Sequence, residues 1–97
     1  MTAAEAVALW LKAKGITHSF GIIGGGNVTL WDAIARLGYT HLVCCHHEQA
    51  AAMAATYYFR TCGRMALTLV TTGAGSTNAI TGVMAACMDS IPLLVVS

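Results

Sequence analysis

Met65-Ala66-Leu67-Thr68-Leu69-Val70-Thr71-Thr72-Gly73-Ala74-Gly75-Ser76-Thr77-Asn78 is the stretch that decides the fold. Met65 to Thr71 is a nearly continuous apolar run, as a strand covered on both faces requires. Gly73 and Gly75 then make a tight loop, and Ser76 or Thr77 is placed to cap a helix running to about Met88. Buried strand, glycine turn and helix, in that order, are the repeating parts of a parallel α/β sheet.

The same alternation extends in both directions. Upstream, Thr2-Ala3-Ala4-Glu5 has the form of a capping box, Val7, Trp10, Leu11 and Lys14 follow at helical spacing, and Gly15 is a natural stop. His18 to Ile22 reads as a strand and Gly24-Gly25-Gly26 as a loop. Asn27 then caps a helix that places Leu30, Ile34 and Leu37 on one face and ends at Gly38. Thr40 to Cys45 is a second strand, and Glu48 to Arg60 an Ala-rich helix closed near Gly63. Downstream, Pro92 to Val96 is a fourth strand, again apolar enough to be covered on both faces. Helix followed by strand thus occurs four times, which predicts a parallel sheet with right-handed crossovers and helices on both faces. The sequence stops at Ser97, on a buried-type strand, so the expectation is an amino-terminal piece of something larger.

Composition supports the last point. Hydrophobic residues make up 57% of the 97 and charged residues 9%, against roughly a quarter charged in an ordinary soluble domain. So few charges solvate a free-standing surface poorly, and much of it is expected against a partner. Disorder is excluded, since it needs low hydrophobicity and high charge. The net charge is +1 with no basic stripe, which argues against nucleic acid and anionic membranes. A spanning helix needs about 20 apolar residues in a row, and none occurs. Glu5 inside the first apolar stretch, with Lys12 and Lys14 after it, does not suit a signal peptide. Cys44, Cys45, Cys62 and Cys87 form neither a CxxC nor a disulfide framework, so a cytosolic protein is expected. Cys44-Cys45-His46-His47 invites a zinc reading, but neighbours on a strand point to opposite faces and cannot all close on one metal. No metal ligands are assigned.

Ligands of a parallel sheet collect at the carboxyl ends of its strands. Glu48 stands there, between the apolar strand ending at Cys45 and an Ala-rich helix, with no Lys or Arg near in sequence. Glu5, Asp32 and Asp89 have ordinary places in a cap, a helix and a turn. Burial without a cation would raise the Glu48 pKa and poise it to share a proton, which makes it the candidate catalytic acid–base. A dipole partner for its helix is the plainer reading. Gly73-x-Gly75 before a helix is half of a dinucleotide fingerprint. Asn78 stands where the third glycine belongs, and Asp89 comes too early for the ribose acid, so a nicotinamide dehydrogenase is a weaker reading.

Phe20-Gly21-Ile22-Ile23-Gly24-Gly25, His47-Glu48-Gln49, Thr71 to Asn78 and Met88-Asp89-Ser90-Ile91-Pro92 together resemble the amino-terminal pyrimidine-binding domain of thiamine-diphosphate-dependent enzymes, most of all acetolactate synthase. The resemblance covers essentially the whole chain, residues 1–97. It implies that Glu48 hydrogen-bonds N1′ of the aminopyrimidine and favours the imino tautomer, whose 4′-nitrogen removes the thiazolium C2 proton. The cofactor then decarboxylates a 2-oxo acid and joins the remainder to an acceptor. It further implies that Ile22, Ile23, Thr71, Ala74 and Asn78 line the pyrimidine and that Gly25 and Gly26 face the substrate.

The resemblance also implies Mg2+ holding the diphosphate through a separate domain, and a homo-oligomer, dimer or tetramer, whose subunits share the site. Some family members also carry FAD, and the resemblance allows it here. Glu48 to Arg60 and Thr77 to Met88 would pack in the dimer contact, through Ala50, Ala51, Ala54, Gly82 and Ala85; a tight contact within the chain explains such small residues equally well. Ile23 and Ala74 stand where the family usually has Pro, Ala50 where it has Gly, and His46 where synthases carry Arg. Thr56-Tyr57-Tyr58 replaces Asp-Gly-Tyr. With no carboxylate cluster for a cation, these residues alone are expected neither to hold thiamine diphosphate nor to catalyse. A non-catalytic relative or truncated product, acting as an interaction domain, is the alternative.

Overall fold

The computed structural model describes residues 1–97. In chain order the elements are α1 (Ala3–Ala13), β1 (His18–Gly21), α2 (Val28–Leu37), β2 (His41–Cys44), α3 (Glu48–Cys62), β3 (Leu67–Leu69), α4 (Ala74–Asn78), α5 (Ile80–Met88) and β4 (Leu94–Val96). The strands form one sheet in the order β2-β1-β3-β4, and every pairing is parallel. The α/β class and parallel sheet expected from the sequence are what the chain adopts. No helix is long and apolar enough to cross a membrane.

Local chemistry sets the ends. Thr2 Oγ1 accepts the Glu5 N–H and Glu5 Oε2 accepts the Thr2 N–H, completing the capping box of α1. Gly38 and Gly63 close α2 and α3 in left-handed backbone, which costs a residue without Cβ nothing. One face of the sheet packs on α1 and α2. There Ala8, Leu11, Ile16, Trp31, Ala33 and Ile34 meet Leu67 and Leu69, with Leu42, Leu94 and Val96 at the margins. Alternation along the strands turns Phe20, Val43 and Thr68 to the opposite face, which α3 covers through the buried Ala51, Ala52 and Ala55.

Several expectations are corrected. The fourth helix is not capped by Ser76 or Thr77. It starts at Ala74 after Gly73, because the Ser76 hydroxyl donates to the Thr71 carbonyl and the Thr77 hydroxyl to that of Ala74. It also breaks at Ala79 into α4 and α5, giving five helices. Asn27 precedes α2 but makes no side-chain capping bond to it. The strands are shorter than their apolar runs, since pairing, not hydrophobicity, ends a strand. β3 is fully buried as expected, but β4 is not covered on both faces. It lies at the sheet edge with Leu94 and Val96 half-buried and Val95 exposed. Of the small residues expected at a dimer contact, Ala51 and Gly82 are buried within the chain. A Cβ on Gly82 would stand 2.5 Å from the Ala52 Cβ, so α3 and α5 touch there almost backbone to backbone. Ala50 and Ala85 are exposed and Ala54 half-buried.

Candidate functional site

Three loops leave the carboxyl ends of β1, β2 and β3, and the fold brings all three together. The loop after β1 meets the loop after β3 directly: the Gly26 N–H donates to Thr71 Oγ1 at 3.0 Å, and a Cβ on Gly24 would stand 2.7 Å from that of Thr71. Glu48 enters from the third side as the first residue of α3. His47 caps that helix, its Nδ1 accepting the Gln49 N–H at 3.0 Å. This leaves the Glu48 side chain free of the cap.

The carboxyl group instead turns to the loop after β3. Asn78 Nδ2 donates to Glu48 Oε1 at 3.3 Å, and Glu48 Oε2 lies 3.2 Å from where a Cβ on Gly75 would be. Gly75 is therefore small for a reason visible in the fold: a side chain would crowd both the carboxylate and Thr71. None of the chain's ion pairs involves Glu48, so its one side-chain partner is neutral. Its enclosure differs from the sequence expectation. Glu48 is half-buried instead of walled in, with Gly75 and Asn78 beside its carboxylate.

The remaining candidates fall around this point. Thr71 and Ile22 are half-buried at the ends of β3 and β1, and Ala74 and Asn78 are exposed along α4. Ile23 is 54% exposed. Gly25 is open on all sides, with no atom within 4 Å of an added Cβ, whereas Gly26 would press Thr72 Oγ1 at 2.6 Å. The cradle is thus built of a carboxylate, a carboxamide, small residues and aliphatic side chains. Such a set fits a flat aminopyrimidine ring, with a hydrogen-bond acceptor for a ring nitrogen and no bulk on its approach. It offers nothing for a diphosphate or its cation, and nowhere do three or more His, Cys, Asp or Glu side chains come together as metal ligands.

The largest groove, about 570 Å³, lies elsewhere. It is lined by Thr2, Ala3, Ala4, Val28, Thr29, Asp32 and Arg36 and includes none of these residues. The groove's charged groups, Asp32 and Arg36, are already paired with each other at 2.8 Å. A smaller hollow of about 290 Å³ is lined by His47, Gln49, Ala50 and Met53, beside Glu48 in sequence. Asp89, the acid a dehydrogenase reading needs, ion-pairs with Arg60 at the end of α5, and β4 carries no acid. Sequence reasoning missed two roles. Thr71, assigned only to the pyrimidine, also bridges the glycine loops through its hydroxyl, and Asn27, read only as a helix cap, holds the loop before it. The only sequence signal for the second was a side-chain amide directly after three glycines.

A parallel sheet with one carboxylate between two glycine loops at its carboxyl edge is where an α/β scaffold collects its ligands. Residues 1–97 match the family of thiamine pyrophosphate enzymes, N-terminal TPP binding domain, and the chain belongs to that family. Within it, the chain is similar to acetolactate synthase large subunits. It is 43% identical to that of Buchnera aphidicola subsp. Schizaphis graminum and 40% to that of Haemophilus influenzae, in each case over the whole chain and 17% of the relative. It is 41% identical to the acetolactate synthase isozyme 2 large subunit of Escherichia coli, over the whole chain and 18% of that relative. The chain therefore spans less than a fifth of the length of these relatives.

Proposed function

We propose that these residues are the cofactor-activating part of a thiamine-diphosphate-dependent, acetolactate synthase-like enzyme. The reaction is decarboxylation of a 2-oxo acid followed by carboligation to an acceptor. The observation that carries this reading is the Glu48 carboxylate, free of any cation and held by Asn78 at the meeting of the two glycine loops. When bound, thiamine diphosphate supplies a carbon nucleophile and a sink for the electrons released by decarboxylation. Glu48 shares a proton with the pyrimidine N1′ through the oxygen on the Gly75 side, while Asn78 fixes the other oxygen. Ile22, Ile23, Thr71, Ala74 and Asn78 line the ring. Gly25 and Gly26 leave room for the 2-oxo acid, since any side chain at 25 would occupy the open space above the loop.

Glu48→Gln in the full-length protein tests the reading. It keeps the shape and removes the shared proton, so turnover should fall by about 10²–10⁴ with fold and cofactor affinity largely kept. Unchanged turnover would exclude catalysis through this site and favour the non-catalytic relative.

The wider assembly belongs to the same proposal. Mg2+ and the diphosphate are held by residues other than these 97, and tight calorimetric binding of thiamine diphosphate with Mg2+ to the chain alone would contradict that. Subunits of a homo-oligomer share the site through α3 and α5, whose exposed Ile80, Met84 and Met88 are apolar; a full-length enzyme active as a sedimenting monomer would contradict this. FAD is compatible with the assembly and would show in the visible absorption of the purified full-length protein. Four free thiols suit the cytosol, which cell fractionation checks.

A further inference from the structure

Asn27 follows three glycines and is 3% exposed. Its side chain turns back on those glycines. Oδ1 accepts the Gly24 N–H at 2.8 Å, and Nδ2 donates to the Ile22 carbonyl at 3.1 Å. Its own N–H donates to the Gly24 carbonyl at 3.2 Å. The neighbouring donors are also spoken for: Ile22 N–H by the Leu69 carbonyl at 3.3 Å and Gly26 N–H by Thr71 Oγ1 at 3.0 Å. Ile23 and Gly25 alone in this loop keep N–H groups with no acceptor in the chain, and Gly25 is the open position.

Three successive glycines have more backbone freedom to lose than any other residues, so a shape this specific needs a restraint. A buried carboxamide supplies one. Both its ends must be satisfied, and here they are satisfied only when Ile22 and Gly24 hold their observed places.

We propose that Asn27 is a positioning residue for the reaction, locking the Gly24–Gly26 loop in the shape that presents Gly25 to the 2-oxo acid. This rests on the reading that Gly25 and Gly26 face the substrate. Asn27 touches neither substrate nor cofactor; it acts through the loop.

The test uses the full-length protein with Asn27→Ala, which removes both side-chain bonds, and Asn27→Asp, which keeps the acceptor for Gly24 but cannot donate to Ile22. Hydrogen exchange over residues 21–28, read by mass spectrometry, needs no cofactor. Asn27→Ala should speed exchange in the loop about tenfold to a hundredfold, leave the rest of α2 unchanged, and raise the KM for pyruvate, the probe 2-oxo acid, about tenfold. Thiamine diphosphate affinity should fall by no more than about threefold, because, of its proposed lining, only Ile22 and Ile23 lie in this loop, while Glu48, Thr71, Ala74 and Asn78 lie outside it. Asn27→Asp should lie between the two.

Loop exchange and pyruvate KM both unchanged in the folded variants would overturn the proposal. So would faster exchange spread equally along α2, which would make Asn27 a support of the helix alone. If Asn27→Ala does not fold, Asn27→Asp is read by the same criteria. Glu48→Gln separates the two readings. If it abolishes turnover while the Asn27 variants change nothing, only the positioning role fails; if it leaves turnover intact, both fail.

Discussion

Gly21 is the position where a single methyl group should separate the two loops of the site. It lies in β1, a central strand, paired with Leu69 of β3 on one side and Cys44 of β2 on the other. A Cβ there would stand 2.0 Å from the Leu69 carbonyl oxygen and 3.0 Å from its carbon. Carbon–oxygen contacts between strands settle near about 3.3 Å, so roughly 1.3 Å must open between strands normally about 4.8 Å apart. β1 cannot retreat toward β2, because the Gly21 carbonyl accepts the Cys45 N–H at 2.9 Å. Gly21→Ala therefore costs about 1–3 kcal/mol in overpacking and about 1 kcal/mol for the Ile22–Leu69 bond. The total, about 2–4 kcal/mol, is a large share of the roughly 5–15 kcal/mol that holds a domain. At an m-value of about 2 kcal/mol/M, the urea midpoint followed by circular dichroism should fall by about 1–2 M. Gly25→Ala, with nothing within 4 Å, should stay within about 0.5 kcal/mol of the parent. Since β1 and β3 carry the two loops, Gly21→Ala should also weaken thiamine diphosphate binding in the full-length protein. An unchanged urea midpoint for Gly21→Ala, or equal losses for both variants, would refute the close approach of β1 and β3 on which the site is built.

Two other expectations follow from local chemistry. The Thr2 backbone N–H, with Arg36 nearby, holds the Glu5 carboxyl below its ordinary 4.5, so its contribution is present above that value and lost as the pH falls through the lower folded value. Glu5→Gln should flatten this acid-side loss of α1 helicity, and an identical acid profile for parent and variant would count against the capping box. Burial pushes the Cys45 thiol above its ordinary 9.0, while Cys44, Cys62 and Cys87 are exposed. Alkylation with mass-spectrometric mapping should therefore modify Cys45 last; Cys45 labelled among the first would overturn the placement of its side chain.

Much of the fold was legible because local rules and the hydrophobic pattern agree. Thr2 and Glu5 announce their cap, Gly38 and Gly63 stop helices as only Gly does cheaply, and the run at Leu67–Leu69 could only be a strand buried on both faces. Where local signals compete, the sequence misled. Ser76 and Thr77 are good caps by type, yet both lie inside α4, where their hydroxyls bond the Thr71 and Ala74 carbonyls. The β4 run reads as covered, although its place at the sheet edge leaves Val95 exposed.

From the sequence alone came the alternation of strand and helix, the parallel sheet it implies, and Glu48 as the acid without an ordinary role. Those depend on residue type and spacing along the chain. Only the tertiary structure decided which groups meet Glu48, how open it is, and that Asn27 and Thr71 hold the glycine loop. These are contacts between residues up to 45 positions apart. No local propensity encodes the Gly26–Thr71 and Glu48–Asn78 bonds, because they exist only once three strands lie side by side and their loops share one edge. The Asn27 bonds to Ile22 and Gly24 are local, but they compete with the helix cap that its residue type suggests.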